Sequence, residues 1–193
     1  MAVELKKGQK VNLKKKVPIG EVLINLNWDQ PKKRFLFAPK PIDLDLGCLY
    51  ELKNGRKGTV QALGNAFGHL NAEPWIALDG DDRTGASAGG ENLRINGARI
   101  PEIQRVLVYT FIYEGAADWQ TANGVVTLRY PGNDDIIVRM DEYNNARRMC
   151  AIALLENDGG DGFIVEKQVA FFDGHAQMDK AYGWGMRWVP GRK

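Results

Sequence analysis

The sequence predicts an all-β protein: a two-sheet antiparallel β-sandwich with one short helix near the C-terminus, formed by residues 1–193 as a single domain. Three observations support this fold class. Short runs of alternating apolar and polar residues recur along the chain, turns rich in Gly, Asn and Asp separate them, and no long amphipathic helical pattern is present. Because 44% of the residues are hydrophobic, the chain is rich enough in apolar side chains to build a core and is not expected to be disordered.

The first predicted strands lie in the N-terminal half. In residues 21–28 nearly every second side chain is apolar, as in a half-buried strand. Residues 41–52 alternate again, so that Asp43 and Asp45 share the face opposite the apolar side chains. The pair Asn54-Gly55 predicts a type I′ hairpin turn, with residues 59–63 as the returning strand.

The remaining predicted elements follow in order. Residues 73–78 and 92–96 are short strands, and residues 104–115, rich in Val, Tyr, Phe and Ile, are the strongest strand of the chain. Four more strands, separated by hairpin turns, are predicted at residues 124–131, 134–141, 147–157 and 162–174. Residues 175–183 predict a short helix. Residues 184–190 predict a last strand that carries Trp184, Met186 and Trp188 on one face.

The segment DGDDRTGASAGGEN, residues 79–92, contains no large apolar side chain, and its residues are compatible with a solvated loop or with a cation site. Hard divalent cations such as Ca²⁺ take oxygen ligands from carboxylates, amides and backbone carbonyls. Asp43 and Asp45 would provide a second set of carboxylates, because side chains at i and i+2 of a strand share a face. The candidate ligands within the segment are Asp79, Asp81, Asp82, Glu91 and Asn92.

A third interpretation of the same segment is catalytic, since residues 85–89 match G-x-S-x-G. A nucleophile elbow requires a buried strand before the serine and a helix after it, whereas a polar loop and a short strand flank Ser87. The chain has two histidines, His69 and His175, and neither lies in a recognisable triad order. Zinc, P-loop and dinucleotide motifs are also missing from the sequence. A flexible turn of small residues is therefore the favoured interpretation of residues 85–89.

Charge is distributed unevenly along the chain. Residues 1–40 contain ten Lys or Arg and three acidic residues, whereas the rest of the chain carries an acidic excess. The basic region is either a solvated edge or a docking surface for an anionic partner protein, membrane face or nucleic acid. The residues that would dock are Lys14, Lys15, Lys16, Lys32, Lys33 and Arg34.

The cysteines and tryptophans could react or bind a ligand, but each has a simple structural interpretation. Cys48 and Cys150 lie within apolar strand-like segments, so we expect buried, reduced thiols. The aromatic C-terminal segment, with Trp184 and Trp188, is expected to pack on the core, and the alternative is an exposed platform for sugar stacking built from Trp75, Trp119 or Trp184. The charged N-terminus does not resemble a signal peptide and the sequence has no membrane-spanning apolar run, which together predict a cytoplasmic protein.

Four motifs, in this order, resemble those of the TerD-domain family of bacterial tellurium-resistance and stress-response proteins. They are LKKGQKVNL (5–13), INLNWD (24–29), IDLDLG (42–47) and GDDRTG (80–85). The ending MDKAYGWGMRWVPG (178–191) is similar to the TerA-like branch of the family.

The resemblance implies a calcium-binding β-sandwich without established enzymatic activity. Asp43 and Asp45 match the family's acidic strand, and Asp81 and Asp82 match its acidic loop. The acidic element that follows in the family is mostly lost here, where residues 86–92 read ASAGGEN, so a weak or single calcium site is expected. The resemblance also implies that the protein acts in a cytoplasmic stress-resistance system. Its partners would then be other proteins of that system, including membrane-associated ones.

Overall fold

The computed structural model describes residues 1–14, 20–30, 41–79, 89–115 and 118–189, which form two β-sheets packed face to face. Sheet A has seven strands, in the spatial order β1 (Ala2–Glu4), β11 (Asp135–Arg139), β10 (Val125–Arg129), β3 (Glu21–Asn27), β8 (Glu91–Asn96), β7 (Ile76–Leu78) and β6 (Gly68–His69). Sheet B has six, in the order β2 (Lys10–Lys14), β13 (Gly162–Phe172), β12 (Met149–Asn157), β9 (Ile103–Glu114), β4 (Asp43–Leu52) and β5 (Lys57–Val60). The predicted two-sheet β-sandwich is confirmed.

Helices are few and short. The predicted C-terminal helix is present as α2 (His175–Tyr182), and a single unpredicted turn, α1 (Trp119–Ala122), precedes β10. Two 3₁₀ helices connect strands at Leu63–Asn65 and Gly97–Glu102. None of the helices in the described part of the chain is long and apolar enough to cross a membrane.

Nearly all strand pairs are antiparallel, as predicted. The exception is the pair β1 and β11, which is parallel. After β1 the chain turns at Lys6–Gln9 and enters sheet B as β2, which pairs with β13. The N-terminal residues therefore link edge strands of the two sheets.

Alternation along the strands builds the core between the sheets. Leu44, Leu46 and Cys48 of β4 are fully buried in it, opposite residues such as Ile24 and Leu26 of β3. Sheet B is also covered on its outer face, where a second apolar cluster forms. That cluster joins Leu49, Leu107, Tyr109, Phe111, Met149 and Ala151 to Met178 and Trp184 of the C-terminal segment.

The prediction of a strand at residues 184–190 is wrong: residues 184–189, which the structure describes, form no strand. Their polar groups are bound by the buried Asp179 side chain instead of by a neighbouring strand. Its carboxylate accepts hydrogen bonds from the backbone N–H groups of Gly185 and Met186 and from the indole N–H of Trp188. An apolar alternation can thus pack on a sheet without joining its hydrogen-bond ladder.

The predicted hairpin at Asn54-Gly55 forms, but its turn type is wrong. Gly55 adopts a left-handed conformation with φ +83°, whereas Asn54 is not among the residues with positive φ that a type I′ turn requires. Hydrogen bonds from Gly55 N to Leu52 O and from Leu52 N to Arg56 O, 2.9 and 2.8 Å, close a three-residue loop with a glycine bulge.

Candidate functional site

A carboxylate of sheet A forms a hydrogen bond with the edge of β4 in sheet B. Glu91 begins β8 in sheet A, and its side chain points between the sheets and is 2% exposed. Its Oε2 accepts a hydrogen bond of 2.6 Å from the backbone N–H of Leu46 in sheet B. Since β5 pairs with β4 only from Cys48 onward, the Glu91 carboxylate binds this stretch of β4 where β5 does not.

Two further carboxylates precede this contact on β4. Asp43 and Asp45 are 5% and 0% exposed, and they point to the side opposite Leu44 and Leu46. The bulge between Asp43 and Leu44 in the β4–β9 register lies at the same end of the strand. Carboxylates withdrawn from water are stabilised by hydrogen-bond donors, by cationic side chains or by a metal ion.

Asp79 and Asn92 lie on the other side of sheet A, facing away from the core. The guanidinium of Arg94 binds both oxygens of Asp79, at 2.7 and 2.8 Å, and also contacts Glu21 at 3.1 Å. The hydrogen bond with Asp79 raises the pKa of Arg94 above its usual value. A backbone hydrogen bond from Asp79 N to Asn92 O, 2.9 Å, holds together the two ends of the acidic segment.

The structure therefore sorts the predicted ligands into two groups. Glu91 approaches the strand that carries Asp43 and Asp45, whereas Asp79 and Asn92 lie on the far face of sheet A; Asp81 and Asp82 fall outside the described residues. Among the residues that the structure describes, no group of three or more His, Cys, Asp or Glu is placed to hold a metal ion. The donor chemistry at the β4 edge, carboxylate oxygens, fits a hard cation such as Ca²⁺.

Sequence reasoning missed the two asparagines that brace the return of the acidic segment into β8. Asn25 is 6% exposed, and its Nδ2 donates to Gly89 O at 2.5 Å and to Asn92 Oδ1 at 2.8 Å. Asn27 donates in turn to Asn25 Oδ1. Asparagine is depleted in strands, so two asparagines at alternating positions of β3 were the available signal.

Of the six predicted docking residues in the basic N-terminal region, the described part of the chain includes Lys14. Lys14 ends β2 and is exposed. Its backbone N–H and C=O are both bound by the Asn133 side chain, at 3.3 and 2.7 Å. Docking through Lys15, Lys16, Lys32, Lys33 and Arg34 stays a prediction.

A buried polar network lies on the outer face of sheet B. The Gln61 Oε1 contacts the Tyr109 hydroxyl at 2.7 Å and His175 Nε2 at 2.8 Å, and Tyr109 also contacts Thr59 at 2.8 Å. Burial lowers the pKa of His175 to about 4 and raises the pKa of Tyr109. The serine of the G-x-S-x-G match lies outside the described residues.

The remaining sequence alternatives are decided by burial. Trp75, Trp119 and Trp184 are 8%, 0% and 1% exposed, so the core interpretation is confirmed for Trp184 and the sugar-stacking platform is wrong. Trp188 is partly buried against the outer cluster of sheet B. Both cysteines are buried and free, as predicted. Burial raises the pKa of the Cys48 thiol to about 12 and also raises the pKa of Cys150.

Comparison with protein families and curated proteins finds the same family that the motifs suggest. The TerD domain matches residues 1–146. The chain is 46% identical to the tellurium resistance protein TerA of an Alcaligenes species over 189 residues, 95% of this chain and 56% of TerA. It is 27% identical to the tellurium resistance protein TerX of Serratia marcescens over 213 residues, 97% of this chain and 91% of TerX. The chain thus spans little more than half the length of the TerA relative.

Two solved structures share the fold. One is the protein of unknown function SAV2460, with a TM-score of 0.60 and 15% identity over 81% of this chain and 91% of that chain. The other is SCO6318 from Streptomyces coelicolor A3(2), a homologue of telluride resistance protein (TerD). It has a TM-score of 0.55 and 19% identity over 83% of this chain and 95% of that chain. At these identities the likeness establishes the architecture alone.

Proposed function

Because this chain belongs to the TerD-domain family of tellurium-resistance proteins, we propose that it is a non-enzymatic calcium-binding protein of a bacterial tellurium-resistance and stress-response system in the cytoplasm. One observation carries the proposal: Asp43, Asp45 and Glu91 are withdrawn from water around one edge of β4, where the acidic segment returns to the sandwich.

The burial of these carboxylates is the reason to expect a cation. Asp43 and Asp45 share one face of β4, and two carboxylates that lie side by side away from water repel each other; a divalent ion offsets this repulsion. Calcium takes about six to eight oxygen ligands. Asp43, Asp45 and Glu91 would supply some of them, and Asp81 and Asp82 would supply others from the segment between Asp79 and Gly89. Asp79 and Asn92 would hold the two ends of that segment.

The bound ion would neutralise the charge of the carboxylates that bind it. Since residues 86–92 read ASAGGEN, few carboxylates are available beyond those named, and the expected dissociation constant is on the order of 10⁻⁵ to 10⁻³ M. This range corresponds to the weaker calcium modules of proteins, which respond to large changes in calcium.

The first test is thermal unfolding of the chelator-treated protein with and without millimolar Ca²⁺, with Mg²⁺ as the comparison. A ligand that binds only the folded state raises the free energy of unfolding, and for 1 mM Ca²⁺ the rise is about 2.7 kcal/mol at a dissociation constant of about 10⁻⁵ M and about 0.4 kcal/mol at about 10⁻³ M. We expect a calcium-selective rise in melting temperature. No rise in the wild-type protein would contradict calcium binding.

The assignment of ligands needs variants. The double variant Asp81→Ala, Asp82→Ala and the single variant Asp45→Asn should abolish the calcium-dependent rise. Asp135→Asn is the matched control, because Asp135 is half-exposed in a surface ion pair with Arg129. A rise that persists in the double variant would show that the ion binds elsewhere.

Docking of the basic N-terminal region is the alternative function, and the uneven charge of the chain favours it. Residues 1–40 carry ten basic and three acidic residues, and the Lys14 side chain is exposed at the end of β2. The proposed partners are other proteins of the tellurium-resistance system, or an anionic membrane face. Association by this surface would weaken as salt is added, because exposed charges are screened. Association that is insensitive to salt would contradict it.

A further inference from the structure

The pairing of β3 with β8 determines where the acidic segment re-enters the sandwich. Asn25 is opposite Asn92, and Leu26 is opposite Glu91. Successive side chains of a strand point to opposite faces. Asn92 therefore points outward beside Asn25, and Glu91 points inward toward β4. A shift of this register by one residue would turn Glu91 away from the core.

The Asn25 carboxamide holds that register at a point where the ladder between the two strands ends. Its amide group has two N–H donors, and they are directed at Gly89 O and Asn92 Oδ1. Its oxygen accepts from Asn27 Nδ2. All three contacts are made by a side chain that is 6% exposed, so the carboxamide has one orientation.

The backbone of the returning segment is also closely packed against β3. Gly90 has φ +62°, and a Cβ at this position would lie 2.0 Å from Leu26 O and 2.7 Å from Asn27 Oδ1. Glycine is therefore required here, and residues 89 and 90 are held between the asparagine side chains and the β3 backbone. The residue that follows this contact is Glu91.

We propose that Asn25 is a positioning residue for the candidate calcium site. Its carboxamide anchors Gly89 and Asn92 on the outer face of sheet A. This anchor fixes the register in which Glu91 points inward, so that the Glu91 carboxylate reaches the N–H of Leu46, the residue after Asp45. The role in calcium binding rests on the function proposed above. The delivery of Glu91 to β4 does not depend on it.

Asn25 donates both hydrogen bonds of its amide group, so the variant Asn25→Asp should change calcium affinity in opposite directions depending on whether the residue acts as an anchor or only through its charge. In the variant Asn25→Asp the side chain keeps its shape but loses both donors, and its carboxylate faces two acceptor oxygens, Gly89 O and Asn92 Oδ1. A carboxylate that acted only as an added negative charge would strengthen calcium binding. Loss of the anchor weakens binding, because groups that orient metal ligands contribute about 10- to 100-fold in affinity.

The experiment measures two quantities in the wild-type protein, in Asn25→Asp and in the matched control Asn12→Asp. Asn12 lies exposed on the edge strand β2, so the control makes the same chemical change far from the site. The first quantity is the hydrogen exchange rate of the Leu46 amide in metal-free protein, measured by NMR. The second is the calcium dissociation constant, measured by calorimetry. Asn27→Ala, an exposed position, is the second variant in case Asn25→Asp does not fold.

We expect Asn25→Asp to speed hydrogen exchange at the Leu46 amide and to weaken calcium binding by about tenfold or more. Asn27→Ala should change both quantities in the same direction. Asn12→Asp should change neither quantity. Unchanged Leu46 exchange in a folded Asn25→Asp variant, or calcium binding as tight as in the wild type, would overturn the inference. If the wild type binds no calcium but Leu46 exchange responds to Asn25→Asp, the calcium function is wrong and the placement of Glu91 by Asn25 is supported.

Discussion

The Asp179 carboxylate is 4% exposed and holds the C-terminal segment to the sandwich. It accepts hydrogen bonds from two backbone N–H groups and from the indole N–H of Trp188. Without Asp179, these groups would need a neighbouring strand or water molecules as partners. Asn25 has a similar role at the end of the β3–β8 ladder, and Glu91 has one at the free edge of β4. Single buried polar side chains thus decide the path of the chain where the strand ladders end, since buried backbone groups need partners.

At the same scale, His175 should make stability depend on pH. Burial lowers the pKa of His175 to about 4, whereas in the unfolded chain it returns to about 6.5. The unfolded state therefore takes up the proton first as the pH falls. The stabilisation from neutral His175 is complete above pH 6.5 and is lost as the pH falls toward 4, by about 3 kcal/mol. Urea unfolding between pH 7 and 4 measures this.

The variant His175→Gln isolates this contribution from that of the other titratable groups. Glutamine does not take up a proton, so the stability of the variant should fall less steeply between pH 7 and 4 than that of the wild type. Equal slopes for the two proteins would contradict the role of His175.

At the scale of elements, α2 and the segment after it are docked by one arginine of β9. The Arg105 guanidinium binds Glu51 at 2.6 Å and donates to Tyr182 O at 3.0 Å and Gly183 O at 3.3 Å, at the C-terminal end of α2. It also lies 3.8 Å from the ring centroid of Trp184. A cation at this end satisfies free helix carbonyls and interacts favourably with the helix dipole.

We expect Arg105→Ala to lower the free energy of unfolding by about 2 kcal/mol, because it removes hydrogen bonds to a charged group and a cation–π contact. It should also expose the chain near Tyr182 to limited proteolysis. Urea denaturation and proteolysis with mass spectrometry measure the two effects. Arg56→Ala is the control: Arg56 pairs with Glu73 at the surface, and its loss should lower the free energy of unfolding less than the loss of Arg105 does. Equal effects of the two variants would contradict the docking role of Arg105.

At the scale of the whole molecule, the sheet order shows that the residues matched by the TerD domain do not by themselves complete sheet B. The match ends at residue 146, before β12 and β13. These two strands lie between β2 and β9, and the pairing of β2 is with β13. They also contribute Ile152, Leu155, Phe163 and Val165 to the core between the sheets.

A fragment of residues 1–146 should therefore fail to fold. Removing β12 and β13 exposes one side of the core and leaves β2 and one edge of β9 without their hydrogen-bonded neighbours. Circular dichroism should show no cooperative thermal transition for the fragment under conditions in which the full chain unfolds cooperatively. A cooperative transition of the fragment would show that the domain is smaller than the two complete sheets.

The long strands were predictable because alternation over many residues is a strong local signal. β9 and β13 were predicted nearly to their ends, whereas β1 and β6 are too short for a pattern. The site was predictable only in part. Sequence spacing grouped Glu91 with Asn92, but neighbours in a strand point to opposite faces, and β8 begins at Glu91.

The sequence by itself determined the class of fold, the order of the long strands, the burial of the cysteines and of Trp184, and the family, because periodicity, residue type and motif order are local properties of the chain. The tertiary structure decided which carboxylates approach β4, that Asp79 binds Arg94 instead, and that the last segment is held by Asp179 and not by a strand. These outcomes depend on which edges and side chains meet across long separations, and a local pattern does not encode those contacts.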